Sequence, residues 1–366
     1  MFVTITISDE VAMKLITFII SLSLFSIIAW QCNEQPNPPD KPPPTQPDTT
    51  NHDFTWQSIS FGDAQSYFQD VFAISDTDVW AVGHVFLRDS AGQIDIANPY
   101  NAVHWNGMMW KLVRVYEKPW TPSPLNCVFR IDTNAVWVGS SIPSKWDGNR
   151  WNHYGSQQGY PVGGWITKAW GNKSEMFFAG ESGSITHWDG SVFRKMTTNT
   201  TIDLYDISGK YDGKIYACGG EFNGIVLAYD GAQWSAIDSL SDNGAIARWT
   251  VFATNGFFAV GGDDVRFIDT AYSKTLTKPP KEVLEGALKN GLPIGTICIR
   301  GSSRKNVFAV GSWQYVIHYN GKTWKWYDEL WDETGHTQYA VSATNNSVFI
   351  AGYKNGRATI LIGRRK

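Results

Sequence analysis

The sequence predicts an all-β fold, a seven-bladed β-propeller of four-stranded blades that is closed by an N-terminal strand completing the last blade. Three observations predict it. The 366 residues include 18 Trp, 15 Tyr and 19 Phe beside 34 Gly. Aromatic residues suit half-buried pleated surfaces and glycines suit the turns between them. One short pattern, an apolar strand ending in glycine, recurs along the chain. Finally, a strand without a sequence-local partner stands before the first repeat.

Taken in order, the chain opens with residues 1–32. Met13-Lys14 precedes an apolar run over 15–30, about the length of a signal-peptide hydrophobic region and short for a membrane span. Asp9 and Glu10 sit badly in a basic leader, which points to Met13 as the start of translation. Cys32 follows the run directly and is the candidate lipidation site. Two acyl chains there would hold the protein at a membrane, where a single chain binds marginally. Residues 33–53 contain seven prolines and almost no apolar side chain, so they read as an extended tether. The expected destination is therefore outside the cytoplasm: a cell-envelope protein, lipid-anchored or secreted.

Residues 54–366 carry the repeat. The second strand of each unit ends in an anchor glycine: Val79-Trp80-Ala81-Val82-Gly83, then Val136-Trp137-Val138-Gly139, Phe177-Phe178-Ala179-Gly180 and Tyr216-Ala217-Cys218-Gly219. Phe258-Ala259-Val260-Gly261, Phe308-Ala309-Val310-Gly311 and Phe349-Ile350-Ala351-Gly352 continue it. The glycines lie 56, 41, 39, 42, 50 and 41 residues apart, which is the spacing of propeller blades. The third strand of most units ends in Asp-Gly or Asn-Gly, at Asn106-Gly107, Asp147-Gly148, Asp189-Gly190, Asp230-Gly231 and Asn320-Gly321. An aromatic residue opens the fourth strand three positions later. Such dipeptides suit tight type I′ hairpins, which need positive φ at both central residues. The last unit lacks its fourth strand, and Phe54-Thr55-Trp56 begins an orphan of that type. Pairing the two leaves no open sheet edge.

The repeat resembles kelch-type propellers at Gly219-Gly220, Tyr229 and Trp234. Its Asp-Gly-x-x-Trp hairpins are similar to the Asp-box turns of sialidase propellers. Over 54–366 it looks most like bacterial lipoproteins with Trp-Ala-Val-Gly…His-Trp-Asp/Asn-Gly-x-x-Trp repeats. The resemblance implies a propeller held at a cell surface and does not imply an activity.

Recurrence separates blade-building residues from candidates for function. His104, His187 and His318 share one register and are expected to pack the blade, as are the tryptophans at 80, 110, 137, 151, 234 and 324. Aspartates 147, 189 and 230 are expected to cap hairpins. Cys127, Cys218 and Cys298 form no zinc or disulfide pattern and read as buried, inert thiols. Net charge is −3 with no basic stripe, which excludes a nucleic-acid footprint.

Connections between strands one and two are all short. The long ones fall on the opposite face, where strands two and three and successive blades are joined. Those loops carry the candidate ligand-binding residues His84, Arg88, Tyr116, Trp120, Tyr160, Trp165, Trp313, Tyr315, Trp331 and His336. Two readings of this set stay open: a recognition surface for a protein or a glycan, or aromatic caps over the channel and blade edges. A short helix is expected from Pro280 to Gly291. The leading functional expectation is an envelope-anchored binding or scaffold module, with no catalytic residues assigned and no cofactor. One alternative is a glycan-processing enzyme using a pair among Glu117, Glu282, Glu285, Glu329, Asp332 and Glu333. A purely structural envelope component is the other. Asp263-Asp264 is the one hint of a calcium site.

Overall fold

The structure, a computed structural model, describes residues 49–366 except 118–121, 133, 162, 210–213, 221–222, 242–249, 255–256, 262–265, 270–273, 278–295, 333 and 335, and side chains except also at 223 and 238–295. Cys32, most of the tether, Trp120, Asp263-Asp264, Glu282, Glu285, Glu333 and the expected helix at 280–291 lie outside the described residues.

The chain is an all-β propeller of four-stranded antiparallel blades. Six sheets are each built from four consecutive strands, spanning 67–113, 127–153, 166–196, 204–241, 250–277 and 296–326. A further four-stranded sheet joins the two ends: Phe54–Phe61 is its outer strand, beside Arg357–Arg365, Ser347–Lys354 and Thr337–Ala343. Phe54 pairs with Arg365 and Phe61 with Ala358, so the N-terminal strand covers the length of the C-terminal one. The inner strand of each sheet touches the inner strand of the next, and the last returns to the first. The orphan strand predicted from the sequence therefore has its partner.

Registered side chains fill the spaces within and between blades. His104 stacks on Trp80 at 4.4 Å, His187 on Phe177 and His318 on Phe308, both at 4.3 Å. Each ring also meets a polar group at the head of strand two: Asp78 at 2.8 Å, Glu175 at 3.0 Å and Asn306 at 3.0 Å. Lys145 takes this register in the second blade and lies 5.4 Å from the Trp137 ring. Trp80 meets Trp151 of the next blade edge to face at 6.0 Å. The three thiols are buried and unbridged.

The hairpins differ from expectation in one respect. The capping aspartate or asparagine does not adopt positive φ; only the glycine after it does, from 90° at Gly107 to 100° at Gly231. The Asp147 carboxylate instead accepts from the backbone N–H groups of Asn149 and Arg150, and Asp189, Asp230, Asn106 and Asn320 repeat the arrangement. These are side-chain-capped four-residue turns rather than type I′ turns.

A second correction concerns the tether. Its described end, residues 49–53, is not free. Thr50 N–H donates to the Asn320 carbonyl at 3.1 Å, its hydroxyl to the Lys305 carbonyl at 2.6 Å, and Tyr327 OH donates to the His52 carbonyl at 2.9 Å. The segment crosses the 296–326 blade on the tight-turn face before entering the outer strand. Backbone groups and the side chains of Thr50 and His52, which the composition of the tether does not reveal as contacts, make this docking.

Candidate functional site

Five of the inner strands share an irregularity near their start. Residues Gln69, Thr167, Tyr205, Ile297 and Tyr339 are each skipped by the pairing, as β-bulges between Phe68 and Asp70, Ile166 and Lys168, Leu204 and Asp206, Thr296 and Cys298, and Gln338 and Ala340. A bulge leaves one residue unpaired and re-aims its side chain. All five skipped residues line one cavity of about 440 Å³, together with Tyr67, Trp165, Lys168, Glu181, Asp203 and Asp206. The cavity is the mouth of the channel enclosed by the inner strands, on the face that carries the inter-blade loops.

The anchor glycines make room for these bulges. A Cβ on Gly83 would lie 2.2 Å from the Tyr67 carbonyl, on Gly180 2.3 Å from that of Trp165, on Gly219 1.8 Å from that of Asp203, and on Gly352 2.0 Å from that of Thr337. Gly139 stands opposite an inner strand whose pairing is regular there, and its Cβ would meet only side chains, the nearest being Cys127 Sγ at 2.9 Å. The repeated glycine is thus the mark of close backbone approach at a bulge.

Below the mouth, charges close the channel. Lys168 Nζ lies 2.6 Å from Asp70, whose carboxylate also accepts from Val71 and Val128 N–H. Arg300 bonds the Asp206 carboxylate through both terminal nitrogens. Burial works against the Lys168 charge, but Asp70 and the neighbouring acids outweigh it and hold its pKa above the ordinary lysine value. A second cavity of about 280 Å³ lies farther along the same strands, lined by Phe72, Trp170, Arg300 and Ser342 among others.

At the rim, a short turn, Glu181–Gly183, organises one side of the mouth. Glu181 accepts from Trp165 N–H at 3.0 Å and returns a bond from its own N–H to the Trp165 carbonyl at 3.2 Å. Ser182 N–H donates to the Asp203 carboxylate at 2.7 Å. Ser182 and Gly183 both have positive φ, 54° and 68°, and Gly164, at 100°, lets the Trp165 loop close on Glu181. Trp165 remains 46% exposed although two backbone bonds fix its position.

The predicted site residues scatter around this mouth. Among the described ones, Trp165 lines it. His84 lies behind the lining, 6.4 Å from the Tyr67 ring and 4.3 Å from that of Phe86, and burial lowers its pKa. Arg88 ties the 86–99 loop to the turn before the first blade, with its Nε 2.5 Å from Asp63, and braces the loop from within, its Nη1 donating to the Gly92 carbonyl. Tyr116 is exposed. Tyr160 and Tyr315 are buried, Tyr160 against Phe193 and Tyr315 beside Ile317, while Trp331 packs on Trp326 at 5.9 Å. Trp313 has φ of 62° and donates its N–H to the His336 carbonyl. His336 is buried against Gln314, Asn355 and Asp332, the last also held by Lys354. Of the predicted acids, Glu117 accepts from the Ser140 hydroxyl and Glu329 lies in the short turn Asp328–Leu330. Glu181 and Asp203 were missed because they sit on short connections rather than long ones, and the bulge residues because they lie within the inner strands. The anchor glycines were the signal that pointed to them.

Among the described residues no group of three or more His, Cys, Asp or Glu side chains is placed to hold a metal ion, and no helix is long and apolar enough to cross a membrane.

No family model matches the chain, and no curated protein matches it. Solved structures do. The chain is similar to "YCF48 bound to D1 peptide" at 14% identity and a TM-score of 0.57, over 85% of this chain and 95% of that one. It is similar to the WD40 propeller domain of Doa1 at 11% identity and 0.56, over 85% and 97%. YCF48 from Cyanidioschyzon merolae follows at 13% and 0.56, over 85% and 98%. At these identities the likeness establishes the propeller fold.

Proposed function

We propose that this chain is a non-enzymatic binding module that seats a segment of a partner polypeptide in the channel mouth. The observation that carries the reading is the convergence of five bulge residues on one cavity. A fold that needs only regular ladders has no use for the same irregularity five times, whereas bulges beside a site serve to aim side chains into it. A similar structure named as bound to a peptide supports a polypeptide occupant rather than a small metabolite. Trp165, large, exposed and held in place, is the natural anchor at little entropic cost.

Panning a random displayed peptide library over the full chain tests this. Enriched peptides should bind Trp165→Ala at least tenfold more weakly, with an unchanged melting temperature. A glycan array that gives mouth-dependent ligands while peptides give none would move the occupant to the glycan class. The envelope location also belongs to the proposal, resting on the apolar run and Cys32. Membrane retention of Cys32→Ser equal to that of the native chain would remove the lipid anchor from it.

A further inference from the structure

We infer that the mouth selects a cationic side chain, an arginine or lysine of the bound segment; this rests on the polypeptide-binding reading above. One cation and three carboxylates line the cavity: Lys168, Glu181, Asp203 and Asp206. Two of these four are neutralised at the channel floor, Lys168 by Asp70 at 2.6 Å and Asp206 by Arg300. The charge left facing an occupant is that of Glu181 and Asp203.

Their hydrogen bonds come from backbone N–H groups of Trp165 and Ser182, which fix the carboxylates without cancelling their charge. The remaining wall mixes aromatic rings with smaller uncharged residues, Gln69, Asn126 and Thr167 among them. Tyr67, Tyr205 and Tyr339 line the cavity with Trp165, which is hydrogen-bonded to Glu181 through its backbone. Aromatic faces attract cations through their quadrupole, most strongly for tryptophan, and fixed carboxylates add direct attraction. An anionic segment would meet both carboxylates with the Lys168 charge already spent. The short turn Glu181–Gly183 joins the acids and the indole into one unit, because its first residue holds Trp165 and its second holds Asp203.

The test uses the same library on three forms of the full chain: native, Glu181→Gln/Asp203→Asn, and Trp165→Ala. The amides keep an acceptor for each backbone N–H, so the double variant should melt like the native chain. Peptides enriched on the native chain should share an arginine or lysine, lose tenfold or more in affinity for the double variant, and weaken with added salt. Peptides that need Trp165, lack a basic residue and bind the double variant undiminished would overturn the cationic selection while leaving polypeptide binding in place. Failure to enrich any peptide, or enrichment indifferent to both variants, would overturn the two together.

Discussion

His52 and His318 meet Nδ1 to Nδ1 at 2.8 Å, and the surrounding bonds fix which ring carries the shared proton. His318 Nε2 faces Asn306 Oδ1, an oxygen that also receives Arg365, so that nitrogen must donate and His318 Nδ1 must accept. His52 Nδ1 is then the donor, and its Nε2 lies 3.0 Å from the Thr323 hydroxyl. A second proton on His318 would point at the first. Burial, with His52, Arg365 and Lys325 adding to it, pushes His318 down to about 2. Burial, Lys325 and Arg365 lower His52 against the opposing pull of Asp53. Unfolded, both rings titrate near 6.5, so below that pH the unfolded chain binds more protons and stability falls as pH drops. Each unit below 6.5 costs up to about 1.4 kcal/mol per excluded proton. The melting temperature should therefore fall between pH 7.5 and 5, and the fall should be shallower in His318→Gln. Parallel slopes in the two proteins would mean that this pair does not couple to folding. That the registered histidines pack the blade was legible from their recurrence; the pairing with His52 was not, because it joins a proline-rich segment to a blade more than 260 residues away.

At the scale of the strand, the anchor glycine and the bulge form one device. The glycine was the clearest mark in the sequence, yet its purpose was hidden, since a bulge inserts a residue without disturbing the apolar pattern on either side of it. For the same reason Tyr205 and Tyr339 read as ordinary strand residues. The long loops drew attention instead, and the one over 86–99 is packed on itself by Arg88 and the capped turns at Asp89 and Asp95 and tied to Asp63 of the preceding turn. In that loop, length reported self-packing; apart from Trp165, the site grew from strand starts and short turns. Three glycine-to-alanine changes separate the effects. Gly219→Ala drives a methyl into the Asp203 carbonyl and should cost about 1–3 kcal/mol, the range for overpacking. It should also weaken peptide binding, because Asp203 must move. Gly139→Ala meets only side chains, which can shift, and should cost less. Gly163→Ala has open space around it and should be neutral or slightly stabilising. Equal melting temperatures for the first and last variants would break the link between the repeated glycine and the bulge.

Over the whole molecule, what distinguishes this ring is how it is shut. The outer strand Phe54–Phe61 pairs along its full length with Arg357–Arg365, and its Trp56 ring sits against Gly363 and 4.9 Å from Tyr327 of the neighbouring blade. Without it, the C-terminal strand would present a row of unpaired backbone groups, an edge prone to association. The orphan strand and the missing fourth strand made this closure readable from sequence. The docking of residues 49–53 was not, and it divides the N-terminus into two steps that truncation can measure. A chain beginning at Thr49 should melt like the full protein. One beginning at Phe54 loses the four bonds of Thr50 and His52 to the 296–326 blade and should be less stable by about 2–4 kcal/mol, at roughly 0.5–1 kcal/mol per net hydrogen bond. One beginning at Gly62 removes the outer strand itself, and should melt over a broader range and associate with rising concentration. Stepwise loss in that order is the signature of a ring held by the strand Phe54–Phe61 and braced by the five residues before it. A Gly62 chain that stays monomeric and melts as sharply as the full protein would show that the C-terminal strands close the ring unaided.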